Sequence, residues 1–167
     1  ADQNKIYGWK LDKVLDTNDN FYKLEYNKRS GAIYPSRIVY TGHADQNGPM
    51  EVVFNRINRD DAVTSYQTQF LVITDQLLDS IEIKVQGATV IKYQLDYTTG
   101  QNGITSLLSS ITKQGYKDNQ MFSLPATTFT YSTKQAGWTE INDQWQEIGA
   151  FNRRDATPDS LVDFNGD

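Results

Sequence analysis

The sequence contains no cysteine. This absence excludes disulfide bridges, cysteine-ligated zinc, iron–sulfur clusters and thiol nucleophiles. Histidine is almost absent too, because His43 is the only one, and one histidine cannot anchor a usual zinc site. A Ser-His-Asp triad would need His43, but the chain has no G-x-S-x-G motif. We therefore interpret His43 as an exposed loop residue.

Long apolar runs and a basic excess are also missing. No run approaches the ~20 residues that a membrane span requires. The net charge of −5 argues against nucleic acid and anionic membranes as partners. Gly100 and Gly103 lack the spacing of a phosphate-binding loop. The chain starts at Ala1 without a signal peptide, so we expect a mature protein or an excerpt of a longer one.

The clearest positive signal is a β-hairpin over residues 81–97. Apolar and charged residues alternate over residues 81–85 and again over residues 90–97, on either side of a turn at residues 86–89. This period of two predicts two paired strands with one buried and one wet face. The side chains expected to point inward are Ile81, Ile83, Val85, Ile91, Tyr93, Leu95 and Tyr97.

Turn residues divide the rest of the chain into short segments. Residues 16–20 are all Asp, Asn or Thr, which predicts a tight turn, and the return strand should be irregular between Phe21 and Leu24. Pro35 should lie at a strand entrance or an edge. We expect further strands at residues 34–40, 51–57, 66–73, 107–111 and 127–131, and loops at residues 27–31, 41–49, 58–65, 98–103 and 116–123.

These segments predict an all-β fold, either an antiparallel β-sandwich or an open barrel of about ten short strands, with an irregular C-terminal tail. We place the antiparallel β domain at residues 1–135 and the tail at residues 136–167. In the tail, Trp138, Ile141, Trp145 and Ile148 have the spacing of a short helical stripe. The alternative that we prefer is an irregular segment, because Gly137 and the Asn142-Asp143 pair disfavour a helix.

Three sets of residues are candidates for binding or chemistry. Asp163, Asn165 and Asp167 have the spacing of a calcium loop, in a site that stays incomplete because the chain ends there. Trp138 and Trp145 are candidates for an exposed ligand-binding platform that stacks on sugar rings. Asp60 and Asp61 could serve a hydrolase, but adjacent residues point apart, so a salt bridge with Arg59 is the better interpretation. Asp16, Asn18 and Asn20 are interpreted as turn residues.

The order of the motifs resembles a known family. Trp9-x-Leu11, Asp16, Asn20, Tyr26 and the stretch at residues 34–40 resemble the Rhs/YD-repeat idiom. The later motifs at residues 59–60, 77–81, 92–97, 106–111 and 125–131 look like the N-terminal region of Salmonella virulence plasmid B-type proteins. The B components of insecticidal Tc toxin complexes share that region. Residues 161–167 resemble the FG-GAP/VCBS repeats that follow it in the family.

The resemblance implies a non-catalytic structural β module of a large secreted bacterial protein that is Tc-toxin-B-like or Rhs-like. Its partners would be other domains of the parent polypeptide and other toxin-complex components. Enzymatic activity in such proteins lies in separate C-terminal domains, so the resemblance implies that this chain is not an enzyme. The alternatives are a secreted carbohydrate-binding or adhesin β-sandwich and a hydrolase that uses loop carboxylates.

Overall fold

Nine β-strands form one antiparallel sheet in a computed structural model of the chain. The structure describes residue 6, residues 8–118 and residues 120–132, which lie in the first of two units, Ala1–Ser132 and Thr133–Asp167. From β1 to β8 each strand pairs with the next along the chain, and β9 pairs with β7. The strands are β1 (Lys13–Leu15), β2 (Asn20–Arg29), β3 (Ala32–His43), β4 (Met50–Ser65), β5 (Val72–Val85), β6 (Ala88–Thr99), β7 (Ser106–Lys117), β8 (Gln120–Ser123) and β9 (Thr127–Thr128).

The predicted all-β antiparallel class is confirmed, and the described strands form a single sheet that does not close into a barrel. The prediction of short strands was wrong for the middle of the chain, where β4 has 16 residues and β5 has 14. Residues 58–65 were expected to be a loop, yet they form the second half of β4. Residues 66–71 were expected to be in a strand, but β5 begins only at Val72. Residues 116–123 contain the end of β7 and all of β8.

Local turn chemistry sets the hairpins, as the sequence predicted. Gln86 and Gly87 have φ values of 51° and 82°, and they join Val85 to its partner Ala88. Positive φ at both central residues is typical of a type I′ turn, which matches the twist of the flanking strands. Ser30 and Gly31, with φ values of 50° and 82°, join β2 to β3 in the same way.

The turn at residues 16–20 is built around one carboxylate. Asp16 Oδ1 accepts hydrogen bonds from the backbone N–H groups of Asn18 and Asn20, both at 2.8 Å, and Asn20 Nδ2 donates to Oδ2. These hydrogen bonds, above all those from Asn20, lower the pKa of Asp16. The register of β2 against β3 shifts between Phe21 and Lys23, where the sequence predicted an irregularity.

Pro35 lies inside β3, opposite Tyr26, and not at the strand entrance. The register shifts at this point of β2, between Glu25 and Tyr26. On the other side of β3, the ladder with β4 covers only residues 37–40. Pro35 is therefore outside that ladder, which is why its missing N–H is tolerated.

The register divides the sheet into an apolar and a charged face. One row of paired residues, which we call the apolar row, crosses the sheet from β2 to β8. Next to it, a charged row on the opposite face crosses the same strands. The apolar row is Leu24, Ile38, Val52, Ile83, Ile91, Gly115 and Phe122. The charged row is Glu25, Arg37, Val53, Glu82, Lys92, Gln114 and Ser123.

Full burial is rare in the described part of the chain. The buried apolar residues are Phe21, Ala32, Tyr34 and Val39, and the buried polar residue is Ser80. The side chains expected to form the core of the β5–β6 hairpin are only half-buried on both strands. The face that was predicted to be buried is therefore only half-buried, and all described strands belong to one sheet.

Gly42 provides a test of packing at the end of β3. A Cβ atom at Gly42 would lie 2.5 Å from the ring of Phe21, which is buried. We expect Gly42→Ala to lower the free energy of unfolding by about 1–3 kcal/mol, because overpacking displaces the ring. Gly115→Ala is the matched control, since a Cβ atom there would meet nothing within 4 Å. Equal losses for both variants in urea unfolding would contradict this account.

Candidate functional site

Asp61 connects two strands that are far apart in the sheet order. Its carboxylate accepts hydrogen bonds from Arg59 Nε at 2.8 Å and from Arg59 Nη2 at 2.7 Å. It also accepts hydrogen bonds from the backbone N–H of Ser106 at 2.7 Å and from Ser106 Oγ at 2.8 Å. We call these three residues the β4–β7 clamp, because Ser106 is the first residue of β7. The Asp61 side chain is only 7% exposed.

The clamp lies in the second half of β4, whose last residues pair with β5 again. Between Asn58 and Val63 the ladder with β5 shifts, and Asp75 alone lies opposite residues 59–62. This excursion carries Asp61 away from β5 and towards β7. Hydrogen bonds from Arg59 and Ser106 hold the pKa of Asp61 well below its usual range, so the carboxylate stays charged at neutral pH.

Asp75 forms a second connection, which we call the hairpin-tip clamp. It accepts hydrogen bonds from Arg29 Nε at 2.8 Å and from Ser30 Oγ at 3.3 Å, at the tip of the β2–β3 hairpin. The Tyr34 hydroxyl lies 3.4 Å from the other carboxylate oxygen and accepts a hydrogen bond from the Asp75 N–H. The backbone N–H of Ile73 donates to Ser30 O at 2.8 Å. The hydrogen bond from Arg29 is the largest cause of the lowered pKa of Asp75.

Tyrosine hydroxyls bond to backbone carbonyls beside interruptions of the ladder. Tyr97 Oη donates to Leu78 O at 2.7 Å, next to the register shift of β5 at Asp79. Tyr131 Oη donates to Leu108 O at 2.7 Å, next to the shift of β7 at Ser109. Each hydroxyl thus gives a backbone carbonyl beside a bulge a hydrogen-bond donor. The burial of Tyr97 raises the pKa of its hydroxyl.

The charged face is neutralised by its own neighbours. Arg37 donates to Glu25 at 2.9 Å on β2 and to Glu51 at 3.2 Å on β4. Lys84 lies 3.1 Å from Glu82 on β5. Hydrogen bonding to Arg37 lowers the pKa of Glu25. Each of these charges therefore has a counter-charge beside it, whereas the apolar row lacks such compensation.

The structure brings none of the hydrolase candidates into an active site. Asp61 is engaged in the clamp, in agreement with the predicted Arg59 salt bridge, and its neighbour Asp60 is exposed. His43 is exposed and lines a surface hollow of about 450 Å³ with Thr41 and Pro49. In the described part of the chain, no group of three or more acidic or histidine side chains could hold a metal ion. Among the same residues there is no helix with the length and apolarity needed to cross a membrane.

The binding residues predicted in the tail lie outside the described residues. These are Trp138 and Trp145 for a ligand platform and Asp163, Asn165 and Asp167 for calcium. Both assignments stay predictions. Sequence reasoning missed the apolar row, because it becomes visible only once the register is known. It also missed the uncharged stretch at residues 120–132, although the lack of charge there can be read directly from the sequence.

Comparison with known proteins identifies structural neighbours. No protein-family model matches the sequence, and no curated protein does either. The crystal structure of TcdB2-TccC3-Cdc42 matches with a TM-score of 0.65 and 13% identity, over 75% of this chain and 9% of that one. The Photorhabdus luminescens Tc holotoxin pore matches with a TM-score of 0.60 and 12% identity, over 72% and 8%.

The N-terminal domain of effector protein SpvB from Salmonella typhimurium strain LT2 is a further neighbour. Its TM-score is 0.55 at 14% identity, over 64% of this chain and 50% of that one. The chain thus spans less than a tenth of the two Tc chains and half of the SpvB chain. At these identities the likeness establishes a shared fold, and it confirms the structural resemblance that the motifs predicted. The FG-GAP part, at residues 161–167, lies outside the described residues.

The β4–β7 clamp predicts the response of the protein to acid. A carboxylate with a lowered folded-state pKa stabilises the fold above its unfolded pKa of about 3.9 and loses this effect as the pH falls through the folded value. We expect the midpoint of urea unfolding to be steady from pH 7 to 5 and to fall below about pH 4. Asp61→Asn should lower this midpoint at pH 7 and should weaken its dependence on pH below about pH 4. The neighbouring Asp60→Asn should do neither. Equal effects of the two variants would refute the clamp.

The contribution of the Tyr97 hydroxyl to stability can be tested by replacing this tyrosine with phenylalanine. We expect Tyr97→Phe to lower the free energy of unfolding by roughly 1–3 kcal/mol, because Leu78 O then loses its donor in a half-buried place. Tyr66→Phe is the control, since Tyr66 is exposed in the turn before β5. Chemical denaturation measures both, and a neutral Tyr97→Phe would show that the bulge carbonyl finds another donor.

Proposed function

We propose that this chain is a non-catalytic structural β module of a large secreted Tc-toxin-B-like or Rhs-like protein. It acts by packing its apolar row against neighbouring domains or toxin components. The observation that carries the proposal is the row itself, which crosses the sheet from β2 to β8 without full burial of any member. A continuous apolar face of this kind is typical of an interaction surface.

The absence of an alternative chemistry among the described residues supports the same proposal. The carboxylates with lowered pKa values are all held by structural partners, in the two clamps, the Arg37 network and the turn at residues 16–20. They are thus committed to holding strands together. Secretion and association with toxin components are supported by the fold shared with Tc toxin components and with the SpvB domain.

The two faces give a matched test of this proposal. Ile83 and Glu82 are neighbours on β5 whose side chains point to opposite faces. A photo-crosslinking amino acid at Ile83, in the organism that makes the protein, should yield crosslinks to other β-rich segments of the same secreted polypeptide or complex. The same group at Glu82 should yield at least tenfold fewer.

Equal yields at both positions would overturn the proposal. So would a product at Ile83 that contains only lipid or glycan. A hydrolase screen provides a second arm, in which turnover that Asp60→Asn or Asp61→Asn abolishes would overturn the non-catalytic role.

A further inference from the structure

The two outer edges of the sheet differ in charge. At one edge, β1 has only three residues and includes Lys13, with Asp12 and Asp16 on either side. Charged side chains at an edge discourage pairing with other strands. At the other edge, residues 120–132 contain no Asp, Glu, Lys or Arg, although 22% of the whole chain is charged. We call residues 120–132 the uncharged edge.

The uncharged edge is exposed and carries large apolar side chains. All of its residues are classed as exposed, and Met121, Phe122 and Leu124 are 56%, 59% and 59% exposed. Phe129 and Tyr131 are exposed further along. Because Phe122 also ends the apolar row, the edge is continuous with that row.

β7 holds the uncharged edge in an extended conformation. Leu124 N–H donates to Lys113 O at 2.9 Å, and Phe129 N–H donates to Ser109 O at 2.9 Å. Tyr131 Oη adds the hydrogen bond to Leu108 O. An incoming strand would therefore meet a backbone that is already ordered, which lowers the entropic cost of pairing.

The direction of the backbone groups determines what can bind. In an antiparallel ladder, successive residues direct their N–H and C=O groups to alternate sides. Since Leu124 bonds inward to β7, Phe122 and Gln120 do so too, and the backbone groups of Met121 and Ser123 point away from the sheet. The next outward position is Pro125, which has no N–H. Ser123 is therefore the last residue of this strand whose N–H can pair with a strand added outside β8.

We propose that β8 is a strand-addition site that takes an extended, uncharged β-strand from a β-sheet of different sequence. The backbone of Met121 and Ser123 supplies the hydrogen bonds, and Met121, Phe122 and Leu124 supply apolar contact. Charged strands are disfavoured, because the uncharged edge offers no counter-charge. The site shares Phe122 with the apolar row, but its pairing groups are backbone groups of β8, so the N-methylated peptide tests it separately from the crosslink at Ile83.

Binding of a short labelled peptide to the full chain tests the site. The probe is a capped Thr-Val-Thr-Tyr-Thr-Val peptide with a fluorophore, and its binding is followed by anisotropy. We expect it to bind at least tenfold more tightly than the same peptide with N-methylated amides on the pairing side. It should also bind at least tenfold more tightly than a peptide with lysine in place of valine.

Variants of the chain locate the binding. Ser123→Pro removes an outward N–H without touching the ladder with β7, and we expect it to weaken binding at least tenfold. Met121→Lys leaves the backbone unchanged and should weaken binding by a similar factor. Val63→Lys is the control, because Val63 is equally exposed on a distant strand and should not matter.

Three results would overturn the proposal. One is equal binding of the N-methylated peptide, which would indicate apolar adhesion without strand pairing. Another is unaltered binding by Ser123→Pro and Met121→Lys. The third is a dimer in sedimentation velocity that both variants dissolve, which would make a second copy of the chain the occupant. Crosslinking at Ile83 would be unaffected by any of these results.

Discussion

The Asp61 carboxylate is the contact on which the shape of this sheet depends. Four hydrogen bonds from Arg59 and Ser106 fix it between β4 and the start of β7, although two strands lie between them in the sheet order. A flat sheet would keep those strands roughly 14 Å apart, at about 4.8 Å per strand. The clamp therefore requires the sheet to curve, and the excursion of β4 at residues 59–62 is where it does so.

Curvature and register together give the sheet two different faces. On one face, Arg37 and its neighbours neutralise one another, and the polar network around Ser80 is satisfied by Asn55 and Asp79. On the other face, the apolar row has no such internal partners. In the described part of the chain, the side chains that would otherwise form a core are therefore left half-buried. This asymmetry is the observation behind the proposed packing role.

The sequence predicted the features that local chemistry determines. The hairpin turn at Gln86, the turn at Asp16 and the irregularity after Phe21 depend on residues within a few positions of one another, and all were found. The second half of β4 was missed because its contacts are not local: Asp61 bonds to Ser106, 45 residues away, and residues 63–65 pair with β5 beyond a register shift. The apolar row was missed for a related reason, since its members belong to different hairpins and become neighbours only through the register.

The meander order has a consequence for how the sheet assembles. From β2 to β8, each strand finds its partner in the strand that precedes it in the chain, so the ladder can grow in the direction of synthesis. The two clamps differ from the ladders because they join distant residues. Arg29 and Asp75 are separated by 46 residues, and Asp61 and Ser106 are separated by 45. Strand pairing in this sheet is thus local along the chain, whereas the contacts of Asp61 and Asp75 that bend the sheet close loops of more than forty residues.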